Sequence, residues 1–297
     1  MVRVTQGMLN SQMLRNLNNN LTRLEKLQNQ MSTGKVINKP SDDPVGLGFA
    51  LRYRSELASN EQYQRNVDSA ISWLEYGDKM INEANDVLQR ARELAVQGAN
   101  GATPVQAMQA LGQEVNQLYE QLVQIGNSQF NGKYVFNGQM TDVKPYAVGT
   151  AETVTPDAGV IQFEVGIGTI IPVNISGADL FGDQNDPTNA FKVLADLRDA
   201  LNNNDQQGVS QSLGQLDSRL DLIMEKWAEI GARSNRIDLM KNRLENTNIN
   251  LQELLSKTED ADMAELLINM KTEENIYQAS LSTGARIIRP SLIDFLR

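Results

Sequence analysis

Two stretches of this chain, Leu14–Met31 (LRNLNNNLTRLEKLQNQM) and Met263–Leu281 (MAELLINMKTEENIYQASL), repeat apolar residues three and four positions apart. This spacing gathers the apolar side chains on one stripe of a helix and predicts half of a coiled-coil interface. We therefore expect the two helices to pair with each other or with neighbouring copies, although chain ends are usually the least ordered part of a domain. The candidate interface residues are Leu14, Leu17, Leu21, Leu24 and Met31, with Met263, Leu267, Met270, Tyr277 and Leu281.

The two ends also carry opposite charge. Residues 1–40 contain six basic side chains and one acidic one, whereas residues 258–297 contain four basic and seven acidic ones. Each exposed ion pair contributes only about 0–1 kcal/mol, so charge alone does not hold the ends together. It does favour contact between the two apolar stripes over two separately solvated helices.

Composition removes several classes of function. The chain has 297 residues and a net charge of −10, so it lacks the positive field that attracts nucleic acid. It contains neither cysteine nor histidine, which excludes thiol and imidazole catalysis and the usual zinc or copper sites. Its apolar runs are too short for a transmembrane helix, and the first 30 residues lack the apolar core of a cleaved signal peptide. We expect no cofactor, no metal, no nucleic acid and no membrane partner.

Helical patterns dominate the rest of the chain. Asp43 before Pro44 predicts the start of a helix that meets no strong breaker until Gly98. Further helices are predicted at about 104–125 and 190–201, and along residues 216–255, where apolar residues recur with 4–3 spacing. Between them, residues 126–187 are rich in Gly, Val, Thr and Pro. Strand-like runs there are Lys133–Phe136, Val160–Val165 and Thr169–Ile175.

These patterns predict a mainly α fold with a small β insertion, built as a long antiparallel helical bundle or coiled coil. The chain runs out and returns, so each layer contains an N-terminal and a C-terminal piece. The predicted domains are a terminal coiled-coil layer, flexible in the monomer, then a helical bundle and a small β-rich domain. Their residues are 1–40 with 258–297, 41–125 with 188–257, and 126–187.

Three short patterns resemble binding sites, but each fits a structural role better. Gly46–Leu51 has two glycines of a dinucleotide fingerprint, yet Leu stands at the third place and no strand precedes it. Gly126–Tyr134 is one residue too long for a phosphate loop and has Tyr where Ser or Thr would bind magnesium. Asp42-Asp43 and Glu259–Asp262 could be paired carboxylates or a calcium site, but helix caps and turns explain them better.

Several motifs carry a resemblance to a known family. Ser32–Gly46 (STGKVINKPSDDPVG) resembles the turn after the first helix of bacterial flagellins and their hook-associated relatives. Arg92–Asn100 (RELAVQGAN) is similar to the end of their first long helix. Three segments near the other end resemble the C-terminal signature of that family: Asn235-Arg236, Asn246–Asn248 and Glu259–Ala264 (EDADMA). The resemblance covers roughly residues 1–100 and 215–297.

Two further segments resemble the hook-associated protein 3 family, which forms the hook–filament junction, more than filament flagellins. They are Phe130–Gly138 (FNGKYVFNG) and Arg289–Leu296 (RPSLIDFL). The resemblance implies a rod-shaped subunit with an inner layer shared by both termini, a bundle layer and an outer β domain. It also implies export without cleavage through the flagellar type III apparatus and assembly in the extracellular flagellum.

We therefore expect a structural subunit and not an enzyme. The resemblance implies four kinds of partner: neighbouring copies, another hook-associated protein, flagellin and a flagellar export chaperone. The alternatives are a short filament flagellin and, more distantly, a hydrolase that uses two carboxylates. A terminal apolar tail could serve the chaperone or the inner layer, and its residues are Ile287, Ile288, Leu292, Ile293, Phe295 and Leu296.

Overall fold

Helices account for most of this computed structural model, which describes residues 6–100 and 104–287. Two of them, α2 (Pro44–Gly98) and α6 (Gln206–Glu259), are each about 80 Å long at 1.5 Å per residue. The predicted mainly α fold with a small β insertion is confirmed. The other elements are α1 (Gln6–Thr33), α3 (Val105–Gly126), β1 (Gln129–Phe130), β2 (Lys133–Tyr134), a 3₁₀ turn (Ala151–Thr153), β3 (Gln162–Gly166), β4 (Thr169–Pro172), α4 (Gly177–Phe181), α5 (Ala190–Asn202) and α7 (Met263–Ile287).

The described residues form two compact units. The terminal unit comprises those within Met1–Ser59 and Asn248–Arg297, and so contains α1, α7 and one end of each long helix. The central unit, Asn60–Thr247, contains the remainder of α2 and α6 and all elements between them. The three-part division predicted from the sequence stays a prediction.

The core of the central unit follows a strict repeat on α6. Every seventh residue of this helix is buried, as expected for the inner position of a heptad pattern. Most of the stability of such helices comes from packing against a partner. The small buried residues of α2, such as Ala84 and Ala91, allow other helices to approach it closely. The buried heptad residues of α6 in this unit are Val209, Leu216, Ile223, Ile230, Ile237 and Leu244.

Two polar contacts show the register of the two long helices. The ammonium of Lys241, which interrupts the apolar stripe of α6, lies 3.1 Å from the carboxylate of Asp68 on α2. The indole N–H of Trp227 donates to Asp78 at 2.6 Å. From the first contact to the second, the residue number increases on α2 and decreases on α6, so the helices run antiparallel. A slip by one residue would break both contacts.

The insertion begins with a tight hairpin. β1 and β2 are antiparallel and are joined by Asn131 and Gly132, whose φ angles of 51° and 77° fit a type I′ turn. The ring of Phe130 packs edge-on against Trp73 of α2 at 5.7 Å between ring centres. The stretch that resembled a phosphate loop is therefore the end of α3 followed by this hairpin.

Buried amides shape the loops of the insertion. β3 and β4 pair antiparallel, but β4 ends at Pro172 and not at the predicted Ile175. The reason is Asn174, whose carboxamide accepts from the Ile161 amide at 2.8 Å and donates to the Gly159 carbonyl at 2.8 Å. Side-chain hydrogen bonds thus replace ladder bonds where the strands stop.

An aromatic cluster anchors the insertion to α5. Tyr146 and Phe181 are buried against Phe191 of that helix, with ring centres 4.7 and 5.2 Å away. Burial raises the pKa of the Tyr146 phenol above its usual range. Burial and the 2.8 Å hydrogen bond that Tyr119 donates to Glu152 raise the pKa of Tyr119 to about 12. These phenols therefore stay neutral at physiological pH.

Arg219 of α6 is a buried cation that ties this helix to the loop before α5. Its side chain is 1% exposed, and its guanidinium donates to the Thr188 carbonyl at 2.7 Å, the Thr188 hydroxyl at 2.8 Å and the Asp186 carboxylate. Burial opposes ionisation of Asp186, but the bonds from Thr188 and Arg219 together lower its pKa. Gly182, at φ 93°, leaves room for the guanidinium, since a Cβ there would lie 2.7 Å from it.

We predict that Arg219→Met destabilises the protein by about 3 kcal/mol, because it leaves the partly buried Asp186 carboxylate without its cation and the Thr188 carbonyl without its donor. Urea unfolding monitored by circular dichroism measures the loss. The control is Arg65→Met, which removes an exposed arginine of α2 that bonds only to Gln62. That change should stay within about 0.5 kcal/mol. Equal effects of the two substitutions would contradict a special role for the buried guanidinium.

Candidate assembly surface of the terminal helices

The two terminal helices pack against each other, antiparallel, within one chain. The Asn20 carboxamide of α1 donates to the Ser280 hydroxyl of α7 at 3.2 Å. Three residues further along α1, Arg23 forms an ion pair of 3.1 Å with Glu273. The pairing that the sequence suggested is thus present between the basic first helix and the acidic last one.

The predicted interface residues divide between two faces of this pair. Met270 is buried, and Leu17, Leu24, Met31 and Tyr277 are half-buried. The others stay in solvent: Leu14 is 61% exposed and Leu21 is 45% exposed. The exposed members on α7 are Met263, Leu267 and Leu281. Ile268 and Ile276, which the sequence pattern had not selected, are also exposed but lie on other sides of this helix.

Sequence reasoning missed two buried polar residues of α1, one of which bonds to α7 and the other to the turn after α1. Asn20 and Gln30 of α1 are buried, although a strict apolar repeat skips both. Leu266 of α7 is also buried, while its neighbour Leu267, which was selected instead, is exposed. The pattern alone could not resolve this, because adjacent apolar residues fit two helix faces equally well. Bonding capacity was the missing signal, since an amide can face a partner helix that supplies a hydrogen bond.

An apolar face remains uncovered on this pair. A helix normally turns its apolar residues toward protein, whereas this pair exposes large apolar side chains on both members. Covering one Leu fully contributes about 1.5–3 kcal/mol, so a neighbour over this face would gain substantial stability. The terminal tail predicted from Ile288 to Leu296 lies outside the described residues, as does the side chain of Ile287.

The acidic turns flanking the terminal helices are caps. The Asp43 carboxylate accepts the amides of Val45 and Gly46, both at 3.0 Å, at the start of α2. The Asp262 carboxylate accepts the amide of Ala264 at 2.8 Å at the start of α7. Within residues 6–100 and 104–287, no group of three or more acidic side chains could hold a metal ion. Asp43 and Asp262 are therefore helix caps, whereas Glu259 of the second turn is buried and forms ion pairs with Lys35 and Arg54.

Asp42 joins α1 to the following turn. Lys26 lies 3.1 Å from one carboxylate oxygen, and the other oxygen accepts the amides of Lys39 at 3.0 Å and Asn38 at 3.2 Å. The hydrogen bond from Lys26, followed by that from the Lys39 amide, holds the pKa of Asp42 below its ordinary value. Its contribution to stability is therefore present above the unfolded pKa of about 3.9 and is lost as pH falls through the lower folded pKa.

We predict that Lys26→Met raises the pKa of Asp42 toward its ordinary value, as measured by carbon NMR of the carboxyl group during an acid titration. Lys39→Met is the matched control, because Lys39 binds Asp42 through its backbone amide and keeps that bond. A control that raises the pKa as far as Lys26→Met does would contradict the assignment.

Both ends of the chain match models of one known family. Models of the bacterial flagellin N-terminal helical region and C-terminal helical region match residues 4–141 and 201–296. A flagellin of Halalkalibacterium halodurans is 28% identical over 269 residues, which cover 90% of this chain and 88% of that protein. No helix among the described residues is long and apolar enough to cross a membrane.

Solved structures show the same fold. A flagellar hook associated protein-3 from Legionella pneumophila aligns with a TM-score of 0.62 at 15% identity, covering 69% of this chain and 97% of that one. FlgL of Bacillus cereus aligns with a TM-score of 0.58 at 22% identity, covering 68% and 97% respectively.

Proposed function

We propose a specific role for this chain, which belongs to the bacterial flagellin family and is a structural protein of the flagellum. It is a hook-associated protein 3 type subunit that joins the hook side of the flagellum to the flagellin filament. Its work is assembly through the terminal helices and involves no catalysis. Family and fold are those of structural flagellar proteins.

The observation that carries this proposal is the uncovered apolar face of α1 and α7. Within one chain these two helices pack against each other along one side, yet the side chains of Leu14, Leu21, Met263 and Leu267 remain exposed to solvent. Neighbouring copies would cover that side, so burial of apolar area drives growth. The flexibility predicted for these ends in the monomer stays a prediction, as does the grouping of both termini in one inner layer.

Two observations support the junction role over a filament role. The likeness in fold is to proteins named hook associated protein-3 and FlgL. The segment Phe130–Gly138, which resembles that family in sequence, forms the hairpin that packs on Trp73 and continues into the buried Phe136. The alternative, a short filament flagellin, draws support from the relative named flagellin, which matches over 90% of this chain.

The partners follow from this role. Neighbouring copies would form a ring, another hook-associated protein would lie on the hook side, and flagellin on the other. Before export through the flagellar type III apparatus, uncleaved, a chaperone would hold the C-terminal apolar residues from Ile287 to Leu296.

We predict that Leu21→Asp leaves the melting temperature of the isolated protein nearly unchanged but blocks assembly. Leu21 is 45% exposed, so surface substitution costs little in the single chain, while a charge would be buried at the contact between copies. Circular dichroism gives the melting temperature, and electron microscopy of cells that carry the variant as their sole copy shows whether filaments form.

Asn19→Asp is the control, because it adds the same charge at an exposed position two residues away on α1. Cells with this control should carry normal filaments. A large loss of monomer stability in Leu21→Asp would contradict the exposed position of the side chain, and normal filaments would contradict the assembly surface.

Deletion of the gene separates the junction role from the filament role. We predict cells with hooks but no filaments that release flagellin into the medium, because the filament loses its attachment point. Immunolabelling should place the protein at the junction alone. Label along the whole filament, with no flagellin in the medium of the deletion strain, would show a filament flagellin instead.

A further inference from the structure

A buried carboxylate lies where the terminal helices meet the long helices inside the terminal unit. Glu259 is the last residue of α6, and its side chain is 3% exposed. One carboxylate oxygen receives both the ammonium of Lys35, just after α1, and the guanidinium of Arg54 on α2. The other oxygen is buried and has no hydrogen-bond partner among the described residues.

Backbone bonds surround this carboxylate and tie the same segments. The Val36 amide donates to the Glu259 carbonyl at 2.7 Å, and the Ala261 amide donates to the Gly34 carbonyl at 2.9 Å. The buried carboxamide of Gln30 at the end of α1 donates to the Val36 carbonyl at 2.8 Å. Each of the two connections between a terminal helix and a long helix therefore passes through one small polar junction.

From this geometry we infer that Glu259 is a positioning residue for assembly, which sets the direction of the α1–α7 pair against α2. Burying an ion pair contributes little net stability, because desolvation offsets attraction, and in some proteins its main effect is to specify one geometry. Here the Glu259 carboxylate pairs with Lys35, just after α1, and with Arg54 on α2. Both ion pairs can form together only when the end of α1 lies close to this part of α2. This inference rests on the proposed function, since direction matters only if neighbouring copies have to match the exposed face of the pair.

The unsatisfied oxygen is informative about the strength of the junction. A carboxylate that used both oxygens would hold Lys35 and Arg54 separately and more firmly. Lys35 and Arg54 are themselves about half exposed, so water competes for both. Removal of one charge should therefore be enough to loosen the junction.

The test uses the absence of cysteine in the chain, which allows a clean pair of spin labels. Cysteines are introduced for exposed Ser55 on α2 and exposed Asn275 on α7, both in the terminal unit. Pulsed electron resonance on the isolated full chain then gives the distance distribution between the labels. We expect Glu259→Gln to broaden that distribution about twofold with unchanged helix content, because the pair loses its fixed direction.

Glu253→Gln is the matched control. Glu253 lies six residues earlier on α6 and is exposed, and its ion pair among the described residues is with Lys257 on its own helix, so its loss should leave the distribution unchanged. Arg54→Gln is a second variant, which keeps the carboxylate and Lys35 and should broaden the distribution less. It keeps the inference testable if Glu259→Gln fails to fold.

A distribution in Glu259→Gln as narrow as in the parent chain would overturn the inference, as would a loss of helix content that accompanies the broadening. A second measurement counts filaments on cells with Glu259→Gln as sole copy. We expect far fewer filaments than on the parent cells, and a parent-like number would overturn the positioning role. The two ideas can fail separately. Normal filaments in Leu21→Asp would contradict the proposed assembly surface, whereas the label distances, measured on the isolated chain, test the role of Glu259.

Discussion

The antiparallel contact between the two long helices is the constraint on which the rest of the central unit depends. Most of the stability of a helix in a protein comes from packing of its apolar face, so α2 and α6 stabilise each other along their contact. The buried residue at every seventh position of α6 supplies the apolar seam, and the Lys241–Asp68 and Trp227–Asp78 contacts select one register. Once that register is set, α3, α5 and the insertion pack on a fixed surface.

Most of the helical architecture could be predicted from the sequence, because amphipathic spacing and breakers act locally. Asp43 before Pro44 predicted the start of α2, and the acidic stretch at Glu259–Asp262 predicted the break between α6 and α7. The insertion was less predictable, since its strands end where a buried amide such as Asn174 takes over the backbone bonds. Arg219 was not selected at all, because nothing in the local pattern shows that a charged residue will be enclosed.

For the candidate surface too, local patterns in the sequence predicted the helices but not the contacts between residues far apart in the chain. Sequence spacing identified both terminal helices and most of their apolar residues. It could not decide which apolar residues face the partner helix, because buried Asn20, which bonds to Ser280 of α7, occupies the contact face while Leu14 and Leu21 do not. Polar residues in the pair weaken its packing and specify its register, which suits helices that have to present a second apolar side outward. Complete burial of every Leu within one chain would leave nothing for a neighbour to cover.

The placement of the two tryptophans has a practical consequence for spectroscopy. Trp73 and Trp227 both lie in the central unit, Trp73 buried beside Phe130 and Trp227 bonded to Asp78. The described part of the terminal unit contains two tyrosines, Tyr53 and Tyr277, and no tryptophan. Tryptophan emission excited at long wavelength therefore reports on the central bundle and stays silent about the helices that would join neighbouring subunits. Melting followed by emission and by helix dichroism would separate into two curves wherever the two units unfold independently.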